Sequence, residues 1–299
     1  MKNIIKRLLI NRKYIINQAN SITGCVLAAF GTLDMIVSFS DYLSEEMKLV
    51  RRILFAGLII IVIWFIALLV MSVSTLRKRR IEILDVGNNH HVYVQYGDVF
   101  SSEEVVNSSQ RRNIVVPVNR CFDTIVDDNI ISSTTLHGKA LKMVYRDTQF
   151  NESTLSDYIQ NNLECEQKIE SKLLSQDEKR AGNLKRYPVG SVAEVKVSNT
   201  RVFFFLGLST FNYDLKAETK ETEYYVSLMK LLEYCNARSQ GFPVVIPLIG
   251  TGLSRTNYSE RDILEFLISF LKMNKKLIDC DIHIVISNNR MDNISITEL

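Results

Sequence analysis

The sequence predicts an α/β protein: an N-terminal pair of transmembrane helices, then a three-layer helix–sheet–helix domain with a mixed sheet. Three observations carry this. Ile53 to Val73 is a run of 21 residues without a charge. Further along, short apolar runs of β type alternate with segments of helical periodicity, the pattern of helices packed on both faces of a sheet. Between the two, Arg77, Lys78, Arg79 and Arg80 mark an abrupt change in composition.

The membrane region is expected over residues 1–76. Crossing a hydrocarbon core takes roughly 20 helical residues, and the run 53–73 meets that length. Residues 20–40 form a second, more polar span with Asp34 inside it. The apolar run starts late and lacks a clear A-x-A site, so it is not read as a cleaved signal. Lys2, Lys6, Arg7, Arg12 and Lys13 precede the first span, and the basic run follows the second. By the positive-inside rule both termini and the large domain are cytoplasmic. Membrane lipid is therefore an expected partner.

Within the first span, Ser21, Gly24, Ala28 and Gly31 share about a quarter of the helix circumference at 100° per residue. Small residues let helices approach closely in lipid. The stripe is a face for homo-oligomerisation or simply the contact with the second span. Asp34 lies at its edge, and a carboxylate there usually faces protein or water, lining a pore or locking an interface; the alternative is a shifted span that leaves Asp34 near the outer headgroups.

The soluble domain is expected over 77–299. Strands are predicted at 81–86, 91–95, 113–118, 191–198, 201–208, 243–248 and 282–286. Their continuous apolar runs suit strands buried on both faces. Residues 153–180 are polar and read as one or two surface helices. Helices are also predicted over 218–238 and 259–273, the latter opening on Ser259 and Asp262 as a capping box.

Composition narrows the function. The net charge is +3 and the basic residues cluster beside the apolar runs, so nucleic acid is not an expected partner. Five widely spaced cysteines form no CxxC pair and suggest a reducing compartment. No Cys/His cluster has zinc spacing, and no metal or cofactor is expected.

The densest local signal is PVVIPLIGTGLSRTNYSERD, from Pro243 to Asp262. A buried strand enters Gly250, Thr251 and Gly252, then Leu253, Ser254 and Arg255, then a capped helix. Such a loop, with the helix N-terminus behind it, is suited to phosphate. Ligands in open α/β sheets sit outside the carboxyl ends of the strands. Three more elements occupy comparable positions: Gly97, Asp98, Val99 and Phe100; Asn119 through Asp123; and His137, Gly138 and Lys139 entering a helix. Each has a plainer reading too, Asp98 and Asn119 as turn residues and His137 as a polar loop residue.

In this order the four elements resemble a macro domain, the ADP-ribose-binding fold, over about residues 80–290. The resemblance implies adenine contact at Asp98, distal-ribose contact at Asn119, and diphosphate loops around His137–Lys139 and Gly250–Arg255. Macro-type hydrolases usually carry an N-x-x-N pair followed by several glycines. Here Phe122 stands at the second asparagine, with Asp123 beside it, and Gly138 is what remains of the glycine run. The resemblance therefore implies a binder and not an enzyme. Two membrane spans before such a domain resemble the TM–macro effectors (ThsA type) of Thoeris antiphage systems. That implies an ADP-ribose-derived signal from a TIR-domain protein, expected to be histidine-conjugated ADP-ribose, followed by helix assembly, membrane disruption and death of the infected cell. A membrane-tethered ADP-ribosylhydrolase, or a reader of ADP-ribosylated proteins, is the alternative.

Overall fold

The structure, a computed structural model, describes residues 2–37, 49–105, 111–249 and 258–299. It falls into two compact units, 1–79 with 289–299, and 80–288.

The first unit contains α1 (Lys2–Ile10), α2 (Arg12–Val37) and α3 (Leu49–Arg77). Among the described residues, Ile53–Arg77 of α3 is the helix long and apolar enough to cross a membrane, by length and composition. It keeps Ile53, Leu54, Ile61 and Val62 exposed, as lipid-facing residues would be. The first expected span is helical as far as Val37; residues 38–40 of it, and the side chains of 34–37, lie outside the described residues. Asn20, Ser21 and Thr23 make its start more polar than α3. Of the two expected spans, one has the length and apolarity of a membrane helix among the described residues.

α2 and α3 pack on one another. The buried residues of α2, Ile15, Ala19 and Thr23, recur every four positions, the spacing of one helix face. Trp64 Nε1 donates to Asn20 Oδ1 at 2.8 Å and ties the two helices midway. The stripe of Ser21, Gly24, Ala28 and Gly31 is exposed, and a Cβ built at Gly24 or Gly31 meets nothing within 4 Å. Contact with α3 therefore does not account for it. The side chain of Asp34 lies outside what is described. Replacing Trp64 with Phe should weaken the α2–α3 pairing by about 0.6–1.7 kcal/mol. A double-mutant cycle with Asn20→Leu in detergent micelles measures this; strictly additive single effects would show that the hydrogen bond contributes nothing.

Residues 289–299 group with these helices. Ile294 and Ile296 are buried, and Ser295 Oγ and Thr297 Oγ1 donate to Asn11 Oδ1 at 2.6 and 2.7 Å, at the break between α1 and α2.

The second unit holds β1 (Arg80–Gly87), β2 (His90–Gly97), β3 (Arg112–Asn119), α4 (Leu136–Asp147), α5 (Glu152–Asn161), β4 (Lys172–Leu173) and β5 (Lys185–Arg186). It continues with β6 (Val192–Ser198), β7 (Arg201–Phe211), β8 (Ala217–Glu218), α6 (Glu221–Arg238), β9 (Val244–Pro247), α7 (Glu260–Met273) and β10 (Ile282–Ser287). The main sheet runs β1-β2-β10-β9-β3-β7-β6, with β8 on β7. β2, β10, β9, β3 and β7 are parallel neighbours, and β1, β6 and β8 pair antiparallel. The sheet is mixed, as expected. Ile114, Val115 and Val116 of β3 and Val202 through Leu206 of β7 are buried on both faces.

α7 starts on Ser259 with a reciprocal capping box through Asp262. The stretch 153–180 differs from expectation. It is helical only through α5 and a π-helical turn, Asn162–Glu166, and then runs irregularly into the β4–β5 ribbon.

Candidate functional site

The carboxyl ends of β3, β7 and β9 open onto a cavity of about 520 Å³. Its walls include Val118 and Asn119, Ile130, Ile131, Ser132, Thr134 and Thr135 of the loop before α4, Leu136 and His137 of α4, Leu208, Ser209 and Phe211, and Leu248 with Ile249. The lining is mostly apolar with a few polar groups, the usual make-up of a small-molecule site.

Asn119 ends β3 and is buried. Its Oδ1 accepts from Cys121 N at 3.0 Å, which sets the turn after the strand. Its Nδ2 is buried without a hydrogen-bond partner, although it lies near enough to Asp123 to favour that carboxylate's charge. A buried donor left unpaired costs about 1–3 kcal/mol, and a ligand acceptor in the cavity would recover it.

Opposite, Thr135 caps α4 by accepting from Gly138 N at 3.0 Å. The amides of Leu136 and His137 lie in the first helical turn, which has no intrahelical acceptors. Both residues line the cavity, so the positive end of the helix faces it. Gly138 is buried, and a Cβ there would overlap the Ser132 carbonyl oxygen. His137 sits 6.0 Å from the Phe205 ring, centroid to centroid, and burial pushes its imidazole down to about 3. It is a neutral wall.

Other expected site residues lie elsewhere. Asp98 is exposed on the turn after β2, where its Oδ1 accepts from Phe100 N at 3.1 Å. It shares the sheet edge with Asn119 but does not line the cavity. Val99 is a core residue, and Lys139 is an exposed residue of α4. Gly250, Thr251, Gly252, Leu253, Ser254 and Arg255 fall outside the described residues. Ile249, just before them, lines the cavity, and its carbonyl accepts from Tyr224 OH at 3.1 Å.

Asp123 is not at the cavity. It is enclosed with Lys179, which is 0% exposed, at 2.6 Å. Lys179 Nζ also donates to Asn183 O at 2.7 Å, and Asn183 N donates to Asp123 Oδ1 at 2.5 Å. Burial pushes the carboxyl upward and the ammonium pulls it back. Phe122, at φ 50°, is buried edge-on to Tyr187. The ring that stands in the N-x-x-N position belongs to the core.

Several residues that hold the Asp98 turn carry no sequence motif. Glu104, buried, accepts from Asp98 N through Oε1 at 2.8 Å. Gln95 Nε2 donates to Glu104 O at 2.7 Å, and Arg80 Nε to Gln95 Oε1 at 2.7 Å. His283 Nδ1 lies 3.1 Å from the same Gln95 oxygen. That oxygen can only accept, so the network assigns the proton to Nδ1 and leaves Nε2 buried and unpartnered. Burial, and then Arg80, hold this imidazole down to about 3.

The sign of the pH effect follows. Between about 6.5 and 3 the unfolded histidine takes a proton that the folded one refuses. The stability is complete above that window and declines as pH falls through it. For His283 the slope is at most about 1.4 kcal/mol per pH unit, and His137 acts in the same direction. Urea midpoints measured from neutral pH to about pH 5 should fall, and His283→Gln should remove about half of the slope. A flat profile would mean that both rings accept protons in the fold.

Comparison with known proteins agrees with this architecture. The profile of the family described as Thoeris protein ThsA, macro domain, matches residues 92–287. The Thoeris protein ThsA of Bacillus amyloliquefaciens (strain Y2) is 29% identical over 238 residues, covering 79% of this chain and 71% of that protein. Two solved structures show partial likeness at 14% identity each. One is an Oceanobacillus iheyensis macrodomain with ADP, covering 71% of this chain and 90% of that one at a TM-score of 0.40. The other is the macrodomain of Mycobacterium tuberculosis DarG, covering 64% and 96% at 0.37. The chain belongs to the ThsA family of Thoeris proteins, with its macro domain in the sheet that carries the cavity.

Proposed function

We propose that the protein is an antiphage effector whose macro domain binds an ADP-ribose-derived nucleotide signal and whose membrane helices deliver the response. The observation that carries the binding reading is the buried Asn119 Nδ2, without a partner, on a residue that lines the same cavity as the first turn of α4, at the mouth of three parallel strands. In this reading Asn119 holds a ribose hydroxyl. The first-turn amides of α4, with residues 250–255, hold the diphosphate. Asp98 stands three strand positions from Asn119 along the same edge, about 14 Å at the usual strand spacing. That distance suits adenine contact at the far end of an extended ligand.

Binding without hydrolysis is the favoured mode. Phe122 is packed into the core where an N-x-x-N hydrolase has an asparagine, and the neutral His137 wall offers no charged acid. The signal is taken to come from a TIR-domain protein and to be histidine-conjugated ADP-ribose. The exposed stripe Ser21, Gly24, Ala28 and Gly31 is the proposed face for assembly, and Asp34 is a proposed companion in the membrane. Disruption of the inner membrane, with both termini cytoplasmic, is the proposed output.

Calorimetry of the full-length protein with histidine-conjugated ADP-ribose and with free ADP-ribose tests the binding step. Asn119→Ala should weaken binding roughly five- to tenfold, the worth of one hydrogen bond. Absence of binding by the unaltered protein to either compound would overturn the proposal. Ligand-dependent leakage of dye-loaded vesicles tests the output separately.

A further inference from the structure

Helix α1 has two unlike faces. At 100° per residue, Ile4, Leu8, Ile5 and Leu9 fill one continuous arc of about 140°. Lys2, Asn3, Lys6 and Arg7 lie outside it. Ile4, Ile5 and Leu9 are 51%, 52% and 58% exposed, so the rest of the unit does not cover this strip. The helix contains no acid, and Arg12 and Lys13 follow it.

Two hydrogen bonds set where the strip lies. Arg7 Nη2 donates to the carbonyl of Leu76 at 2.9 Å, next to the last residue of the apolar helix Ile53–Arg77. Lys6 Nζ donates to Asn293 Oδ1 at 2.5 Å. The first contact ties α1 to the basic end of α3, where hydrocarbon gives way to headgroups if α3 spans a bilayer. Both acceptors are neutral oxygens, so neither cation is cancelled.

We propose that α1 is an interfacial helix that binds an anionic lipid surface. Ile4, Ile5, Leu8 and Leu9 enter the acyl boundary, and the lysines and arginines meet lipid phosphates. This rests on reading α3 as a membrane span. Charge favours lipid over a second copy: two α1 helices, each basic and without acids, repel. Each basic residue at an anionic surface is worth roughly fivefold in partitioning.

Nitroxide labels on the full-length protein in vesicles test this. They are placed singly at positions 3, 5 and 62, with exposed Cys25 and Cys165 replaced by Ala. In phosphatidylcholine with phosphatidylglycerol, the label at 5 should be accessible to oxygen and shielded from an aqueous nickel complex. The label at 3 should show the reverse. In phosphatidylcholine alone the label at 5 should shift toward water. A water-exposed label at 5 with position 62 still in lipid would overturn the inference alone. Position 62 in water would overturn the membrane reading beneath it. Equal depth at 5 in both lipids would overturn the anionic requirement, and dipolar broadening between labels at 5 would replace lipid with a second copy.

Discussion

Replacing Lys179 with Met should destabilise the soluble domain by about 3–5 kcal/mol, the cost of leaving a buried charge unpaired. Lys179 is 0% exposed and its ammonium lies 2.6 Å from Asp123, itself 1% exposed. The same nitrogen donates to Asn183 O, and Asp123 in turn accepts from Asn183 N. The three residues close a loop onto the turn after β3. Gly182, at φ 83°, is part of this closure, since a Cβ there would overlap Asp123 Oδ1. Removing the ammonium leaves an enclosed carboxylate with one backbone donor. Asp123→Asn in the Lys179→Met background should recover part of the loss, because the amide carries no charge. Chemical denaturation of the three variants measures both effects. A loss below about 1 kcal/mol for Lys179→Met would indicate that water reaches the pair.

The sheet is legible in the sequence because its strands are buried on both faces. RVFFFLGL reads as a strand in any context, and Val202 through Leu206 are all buried. The capped start of α7 is equally plain, since Ser259 and Asp262 are local partners. Lys179 is the opposite case. It lies in a charged stretch that looks solvated, and its partner is 56 residues away. No periodicity signals such a pairing, so Asp123 reads as a free acid beside the ribose position. Likewise α2 is legible as a helix, but the pairing of Asn20 with Trp64, 44 positions away, is not evident from local pattern.

The site is legible in outline and not in its supports. Asn119 and His137 stand at strand and helix ends, where turn chemistry marks them, and both line the cavity. Asp98 shows as a turn residue from its neighbours. Glu104 and Gln95, which hold that turn from beneath, belong to no motif. Their roles arise when β10 brings His283 beside Gln95 across 188 positions of sequence.

Gly138→Val should damage binding more than any truncation in the cavity. A Cβ at this position would overlap the Ser132 carbonyl oxygen, and Ser133 Cα lies 3.1 Å from it. Both atoms are backbone, so no side chain can rotate away. Either α4 retreats or the loop Ile130–Thr135 shifts outward. Overpacking of this kind costs about 1–3 kcal/mol of stability, which a domain of this size tolerates. The cavity does not tolerate it, because the moving parts are its walls: Ser132, Thr134 and Thr135 on one side, Leu136 and His137 on the other. The Thr135 cap on Gly138 N is strained at the same time, and the first-turn amides lose their aim. A drop in affinity of a hundredfold or more, about 2.7 kcal/mol, is expected by calorimetry, with the denaturation midpoint only modestly lowered. Gly138→Ala should give a smaller loss in the same direction. If Gly138→Val instead bound as tightly as the unaltered protein while losing stability, the loop before α4 would be a structural turn and the nucleotide would sit elsewhere on the sheet edge.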